Sequence, residues 1–243
     1  MHAWPDNVVV RPDLTGRIGV FDDRREAGEV LADMLAPLAA ERPLVLGIPA
    51  GGVPVAAEIA RRLEAPLSVL VTSKATPPWN SEIGFGAVAF DGTEYVDAEA
   101  AERLGLSEAQ VRQALERARE KVRRRQRRFL GGVGPPDVRG RPIILVDDGL
   151  ATGKTAEVAI RALRKQGAGR VILAVPTCHD QALRRLAPQV DALYCANVRS
   201  GFLYAVADAY RHWHDVTEEE VERHLAQAQA SHQASHEEPE SSH

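Results

Sequence analysis

The feature that most constrains this chain is a rhythm. Short unbroken runs of aliphatic and β-branched residues recur along it: Leu44-Val45-Leu46-Gly47-Ile48, Leu67-Ser68-Val69-Leu70-Val71, Ile143-Ile144-Leu145-Val146 and Val171-Ile172-Leu173-Ala174-Val175. Stretches of helical periodicity lie between them. Strands that are apolar on both faces must be covered on both faces, and parallel strands joined by helices achieve this. The pattern therefore predicts an α/β fold with a doubly wound parallel sheet. Helices are expected over 24–38, where Ala27, Val30, Leu31, Met34, Leu35 and Leu38 share one face, and over 53–63 and 156–166.

Two segments interrupt the alternation. Residues 74–86 contain Pro77, Pro78, Gly84 and Gly86 and read as a long loop, of the kind that often forms a functional lid. Residues 107–130 read as one long helix. Ser107 and Gln110 are placed for a capping box, Val111, Leu115, Ala118 and Val122 repeat at helical spacing, and a glycine- and proline-rich stretch from Gly131 stops it. This helix suits a small lid or hood, or a subunit contact. A domain over 1–225 is expected. Thr217 and Glu220 can cap a last helix, and residues 226–243, rich in Gln, Ser, His and Glu, read as a disordered tail.

The segment with the clearest chemistry runs from Ile143 to Thr155. A buried strand ends in Asp147 and Asp148; a turn of small residues, Gly149-Leu150-Ala151-Thr152-Gly153, leads into a helix near Lys154 and Thr155. Ligands of open parallel sheets bind beyond the carboxyl ends of the strands. A helix start presents free N–H groups to an anion, and the hydroxyls of Thr152 and Thr155 add donors. The turn thus reads as a phosphate cradle. Carboxylates repel phosphate, so Asp147 and Asp148 make sense if the ligand also carries vicinal hydroxyls that they can accept from. Gly153-Lys154-Thr155 looks like the end of a nucleotide-binding P-loop, but the first glycine of that motif would fall on Asp148.

An apolar strand, two acids and a Gly-x-x-Thr-Gly-x-Thr turn resemble the phosphoribosyl pyrophosphate signature of type I phosphoribosyltransferases. The resemblance to a bacterial subgroup of that family runs from about Phe21 to Val221, through Phe21-x-Asp23-Arg24, Gly51-Gly52-Val53-Pro54, Gly84-x-Gly86 and Phe202-x-x-Ala205-Val206. It implies transfer of the 5-phosphoribosyl group to a nitrogenous base, purine-like, with release of pyrophosphate. Asp147 and Asp148 would hold the ribose, Gly149 to Thr155 the 5′-phosphate, and Ala50, Gly51 and Gly52 the pyrophosphate. Lys74 would close over the leaving group from the loop. Mg2+ is implied as cofactor, reached by Asp147 and Asp148 indirectly through ribose and pyrophosphate. There are departures. Ala50 stands where the subgroup has an arginine, Asp22 replaces another arginine, and Ser73-Lys74 replaces Arg-Lys. They keep open a second reading, a regulator that binds phosphoribosyl pyrophosphate or a nucleotide without turnover.

Base recognition is weakly marked: Phe202 and His179 are candidates for ligand contact. The formal net charge of −4 argues against a general nucleic-acid binder. The basic run from Lys121 to Arg128 has Glu116 and Glu120 beside it and reads as a solvated face or a subunit contact, so nucleic acid is not an expected partner, whereas a homodimer is. Two cysteines form no framework, the N-terminus lacks the basic and apolar regions of a signal peptide, and no run is long enough for a membrane span. A cytoplasmic location is expected.

Overall fold

The computed structural model describes residues 4–81, 83–201 and 203–236, with the side chains of 232–236 left aside. In chain order the elements are β1 (Val8–Val10), α1 (Arg24–Leu35), β2 (Leu44–Gly47), α2 (Gly52–Arg62), β3 (Leu67–Val69), β4 (Thr72–Ala75), β5 (Gly86–Ala89), β6 (Glu94–Val96), α3 (Ala98–Arg103), α4 (Glu108–Phe129), β7 (Ile143–Val146), α5 (Lys154–Lys165), β8 (Val171–His179), α6 (Asp180–Leu186), β9 (Ala192–Arg199) and α7 (Glu218–His236).

A six-stranded sheet of order β1-β9-β8-β7-β2-β3 is parallel throughout. Its strands divide their side chains between two cores at period 2. Leu44, Leu46, Ile143, Leu145, Val171 and Leu173 face α5 and α6, and Val45, Ile144, Val146, Ile172 and Ala174 face α1 and α2. This is the doubly wound architecture that the apolar runs predict. Helix α1 ends at Leu35, before Pro37, and the chain tightens into a 3-10 turn over Ala36–Glu41.

The hood is a separate antiparallel sheet, β4-β5-β6, inserted between β3 and β7. It too has two faces. Val88 and Ala75 pack towards Ala114, Ala118 and Val122 of α4, whereas Ala87 and Ala89 pack towards Val158 and Ala162 of α5. The hood thus rests directly on the helix that follows the acidic pair. Ser107 and Gln110 form the expected capping box at the start of α4.

Two expectations change. The loop expected over 74–86 is bounded by strands on both sides, and Lys74 lies within β4, opposite Ala87. Residues 226–236, read as disordered from their composition, continue α7 after Thr217 and Glu220 cap it; Val221 and Leu225 anchor the earlier turns in the hood core. Residues 237–243 lie outside the described residues. Among the described residues, no helix is long and apolar enough to cross a membrane.

Candidate functional site

β2 and β7 are hydrogen-bonded neighbours, so the segments after their carboxyl ends meet. There a cavity of about 710 Å³ opens, lined by Ala50 and Gly51 after β2, Asp147 to Gly153 and Thr155 after β7, and Lys74 from the hood. Eleven of the thirteen residues expected to form the site therefore share one cavity; Gly52 and Lys154 do not line it.

The turn expected to cradle a phosphate is built by close packing at both ends. A Cβ on Gly149 would come within 2.5 Å of Val206 Cγ1, and one on Gly153, whose φ is +65°, within 2.9 Å of Leu186 Cδ1. Between them Leu150 is buried. Its N–H donates to Thr177 O at 3.0 Å and its carbonyl accepts from His179 N–H at 2.9 Å, which pins the turn to β8. The Arg185 guanidinium donates to the Thr152 carbonyl. The amides of Ala151, Thr152 and Gly153 have no backbone acceptor among the described residues, and no side chain caps α5. A helix start left open in this way favours an anion.

Lys154 does not join the cradle. Its ammonium lies 3.0 Å from Asp97 Oδ2 and donates to Gly84 O at 2.9 Å, tying the start of α5 to the hood. The expectation for Lys154 thus rests on its backbone at the start of α5, since its side chain is engaged by the hood. Gly52 likewise lies behind the cavity wall. Its N–H donates to Ile48 O at 3.0 Å, and a Cβ would come within 2.6 Å of Val146 O. The free amides of this turn are those of Ala50 and Gly51, which have no backbone acceptor among the described residues.

The acidic pair sits on a web that the sequence reading did not foresee. Arg24, the first residue of α1, is 6% exposed. It donates from Nε to Asp148 Oδ2 at 3.0 Å, with Nη2 2.9 Å from the same oxygen, and from Nη1 to His214 O at 2.9 Å. The Trp213 ring covers the guanidinium at 4.0 Å from its centroid. Tyr210 donates to the Asp148 carbonyl at 2.6 Å. Asp147 Oδ1 accepts from Asp148 N–H at 2.9 Å. Burial is the largest effect on both acids and pushes both above the usual carboxylate range. For Asp147 the neighbouring Asp148 adds to the push, whereas for Asp148 the Arg24 guanidinium opposes it. In their ionised form both acids are acceptor-only and suit hydroxyl donors, and burial makes that charge costly until a donor or a cation arrives. Among the described residues, no three His, Cys, Asp or Glu side chains gather into a metal cage.

His179 is not a cavity residue. Its Nδ1 accepts from Gln181 N–H at the start of α6, and its Nε2 lies 2.9 Å from Gly201 O. Phe202 lies outside the described residues. Other residues of the cavity wall, none of which the sequence reading assigned to the site, include Trp213 and Asp215, Ala205 to Ala207 after β9, Thr72 and Ser73 on β4, and Ala114, Arg117, Ala118, Lys121 and Arg125 on α4. The α4 residues carry a signal in hindsight, a stripe at helical spacing that is small at 114 and 118 and cationic at 117, 121 and 125. The rest of the basic run is largely paired: Arg125 and Arg128 bind Glu218, and Arg128 also binds Glu219 and Glu222 on α7.

Residues 24–202 match the phosphoribosyl transferase domain model. Two Mycobacterium tuberculosis proteins named "putative phosphoribosyl transferase" are each 38% identical over 209 residues, covering 86% of this chain and 47% of theirs. The chain thus spans about half the length of the curated relatives it matches. A uracil phosphoribosyltransferase of Lactobacillus gasseri is 38% identical over 78 residues, 29% of this chain and 37% of that one. The crystal structure of TT1426 from Thermus thermophilus superposes with a TM-score of 0.69 at 36% identity, covering 85% of this chain and 98% of that one.

Proposed function

The chain belongs to the phosphoribosyl transferase domain family, and we propose that it transfers the 5-phosphoribosyl group from phosphoribosyl pyrophosphate to a nitrogenous base, purine-like, releasing pyrophosphate. The observation that carries this reading is the shared cavity: an uncapped helix start and a buried pair of acids open onto the same space. A phosphorylated sugar meets both demands. The amides from Ala151 onward, with Thr152 and Thr155, take the 5′-phosphate, while Asp147 and Asp148 accept from the ribose hydroxyls. Asp148 is held for that task by Arg24. As the bond from ribose C1 to the pyrophosphate oxygen breaks and a bond to a ring nitrogen forms, positive charge gathers on the sugar. The acidic pair beneath it opposes that charge, and Lys74, in electrostatic reach of Asp147, faces the leaving group. Magnesium, when bound, would neutralise charge on the pyrophosphate, and Asp147 and Asp148 would reach it only indirectly, through ribose and pyrophosphate, as the resemblance implies.

Mixing the protein with magnesium, phosphoribosyl pyrophosphate and each of a panel of purine and pyrimidine bases tests the reading. Pyrophosphate release with one base is expected. Binding without release for every base favours the regulator, a reading supported by Ala50, which leaves the turn after β2 without a cation.

Asp147→Asn separates binding from stability. A carboxyl whose folded pKa is raised holds its proton more tightly when folded. The unliganded protein therefore gains stability as pH falls from neutral towards 3.8, while ligand affinity falls over the same window. Asparagine keeps the acceptor for Asp148 N–H but removes the buried charge. The variant should melt about 2–4 °C higher, the shift that roughly 1 kcal/mol gives a protein of this size. It should bind phosphoribosyl pyrophosphate about tenfold or more weakly. Unchanged affinity by calorimetry would remove Asp147 from the ribose grip.

A further inference from the structure

The cavity has a second charged wall. Helix α4 presents Arg117 and Lys121 to it, one turn apart, with Ala114 and Ala118 beside them, and β4 presents Lys74 and Thr72. Most other basic side chains of α4 have an acidic partner: Arg112 with Glu108, Arg119 with Glu94 and Glu116, Arg123 with Glu116, and Arg124, Arg125 and Arg128 with α7. Among the described residues, Arg117, Lys121 and Lys74 line the cavity without an ion-pair partner, whereas Arg125, which also lines it, is held by Glu218. Lys121 is depressed from the usual lysine value, first by desolvation at the wall and then by Arg125 and Arg124. The buried Thr72 hydroxyl has no hydrogen-bond partner among the described residues. An unbalanced group of cations next to a buried donor with nothing to bond is a wall built for an anion.

Its position says which part of a ligand that anion belongs to. Ala114 and Ala118 belong to the hood core against which Ala50 packs, whereas Leu150 of the turn after β7 belongs to the core on the other side, so the stripe is on the side of the turn after β2. Resting on the transferase reading, we propose that Arg117 and Lys121, with Lys74, form a second anion subsite supplied by the hood. It takes an acid group other than the 5′-phosphate, either the pyrophosphate of the donor or an acid substituent on the acceptor ring. The hood helix thereby provides the positive charge that Ala50 leaves out of the turn.

Both cations are exposed, so Arg117→Ala, Lys121→Ala and the double variant should fold; unchanged circular dichroism and melting check this. Calorimetry would then use three probes: ribose 5-phosphate, inorganic pyrophosphate and a carboxylate-bearing base. Ribose 5-phosphate engages only the cradle and the acids, and its affinity should stay within about twofold in every variant. Pyrophosphate affinity should fall about tenfold with each lost cation, the size of a charge-assisted contact, and Lys121→Arg should retain it. If only the carboxylate-bearing base loses affinity, the acid group belongs to the acceptor. If the double variant binds both anionic probes as the wild type does, or the wild type binds neither, the subsite is overturned. Failure of ribose 5-phosphate to bind the wild type would instead count against the transferase reading.

Discussion

Replacing Arg24 with alanine is expected to destabilise the protein by about 3–5 kcal/mol, the usual consequence of removing one partner from a buried ion pair. The pair is well enclosed, with side chains 7% and 15% exposed. Its loss leaves Asp148 uncompensated beside Asp147, which is itself pressed towards protonation. Three further contacts go with it: the bond to His214 O and the faces of the Trp213 and Tyr210 rings. Arg24→Lys should recover only part of the loss, because one ammonium cannot reach Asp148 and His214 O while lying flat on an indole. Urea titration followed by far-ultraviolet dichroism gives the number. A change below about 1 kcal/mol, the range of an exposed pair, would mean that the pair does not persist in solution.

Gly51→Ala should have the largest effect on binding. The backbone there is ordinary, with φ −61°, so alanine brings no conformational strain. The difficulty is space. A Cβ would lie 1.9 Å from Asp148 Oδ2, and Asp148 cannot swing aside without leaving Arg24. The carboxylate must shift by about an ångström or more, and misplacement on that scale commonly weakens a site about 100-fold. Gly52→Ala makes the contrast, because its Cβ would meet the Val146 carbonyl at 2.6 Å. That substitution presses on backbone and should lower the melting temperature. Titration with phosphoribosyl pyrophosphate and thermal melts of the two variants check both claims. Affinity within about threefold of wild type in Gly51→Ala would show that Asp148 takes no part in holding the ligand.

How much of this was legible beforehand follows from how local each feature is. The central strands β2, β7 and β8 announce themselves because burial on both faces demands unbroken apolar runs. β9, with Ala192, Tyr194, Ala196 and Asn197 along it, and the short hood strands carry no such signature. The cradle is a contiguous motif and could be read directly. Arg24 could not be understood that way: its partner Asp148 is remote in the chain, and a helix-start arginine ordinarily points to water. Lys154 shows the limit of a motif, which places its backbone at the start of α5 while Asp97, outside the motif, decides where its side chain goes. The tail from 226 misled by composition, because packing of Val221 and Leu225 sustains a helix whose later residues have little intrinsic reason to be one.

The pairing of Leu44–Gly47 directly with Ile143–Val146 has a consequence for how the protein is made. Synthesis runs from the N-terminus, so the first strand of this pair leaves the ribosome long before the second, with the whole hood in between. Until Ile143–Val146 arrives, one edge of the nascent sheet stands open, an apolar template for misplaced pairing. Neither half of the cavity has any shape of its own during that wait. The second strand of the pair therefore covers the edge of the first and brings the two turns of the cavity together in one event, while its own outer edge waits for Val171–His179, so the heart of the site takes shape before the sheet is complete.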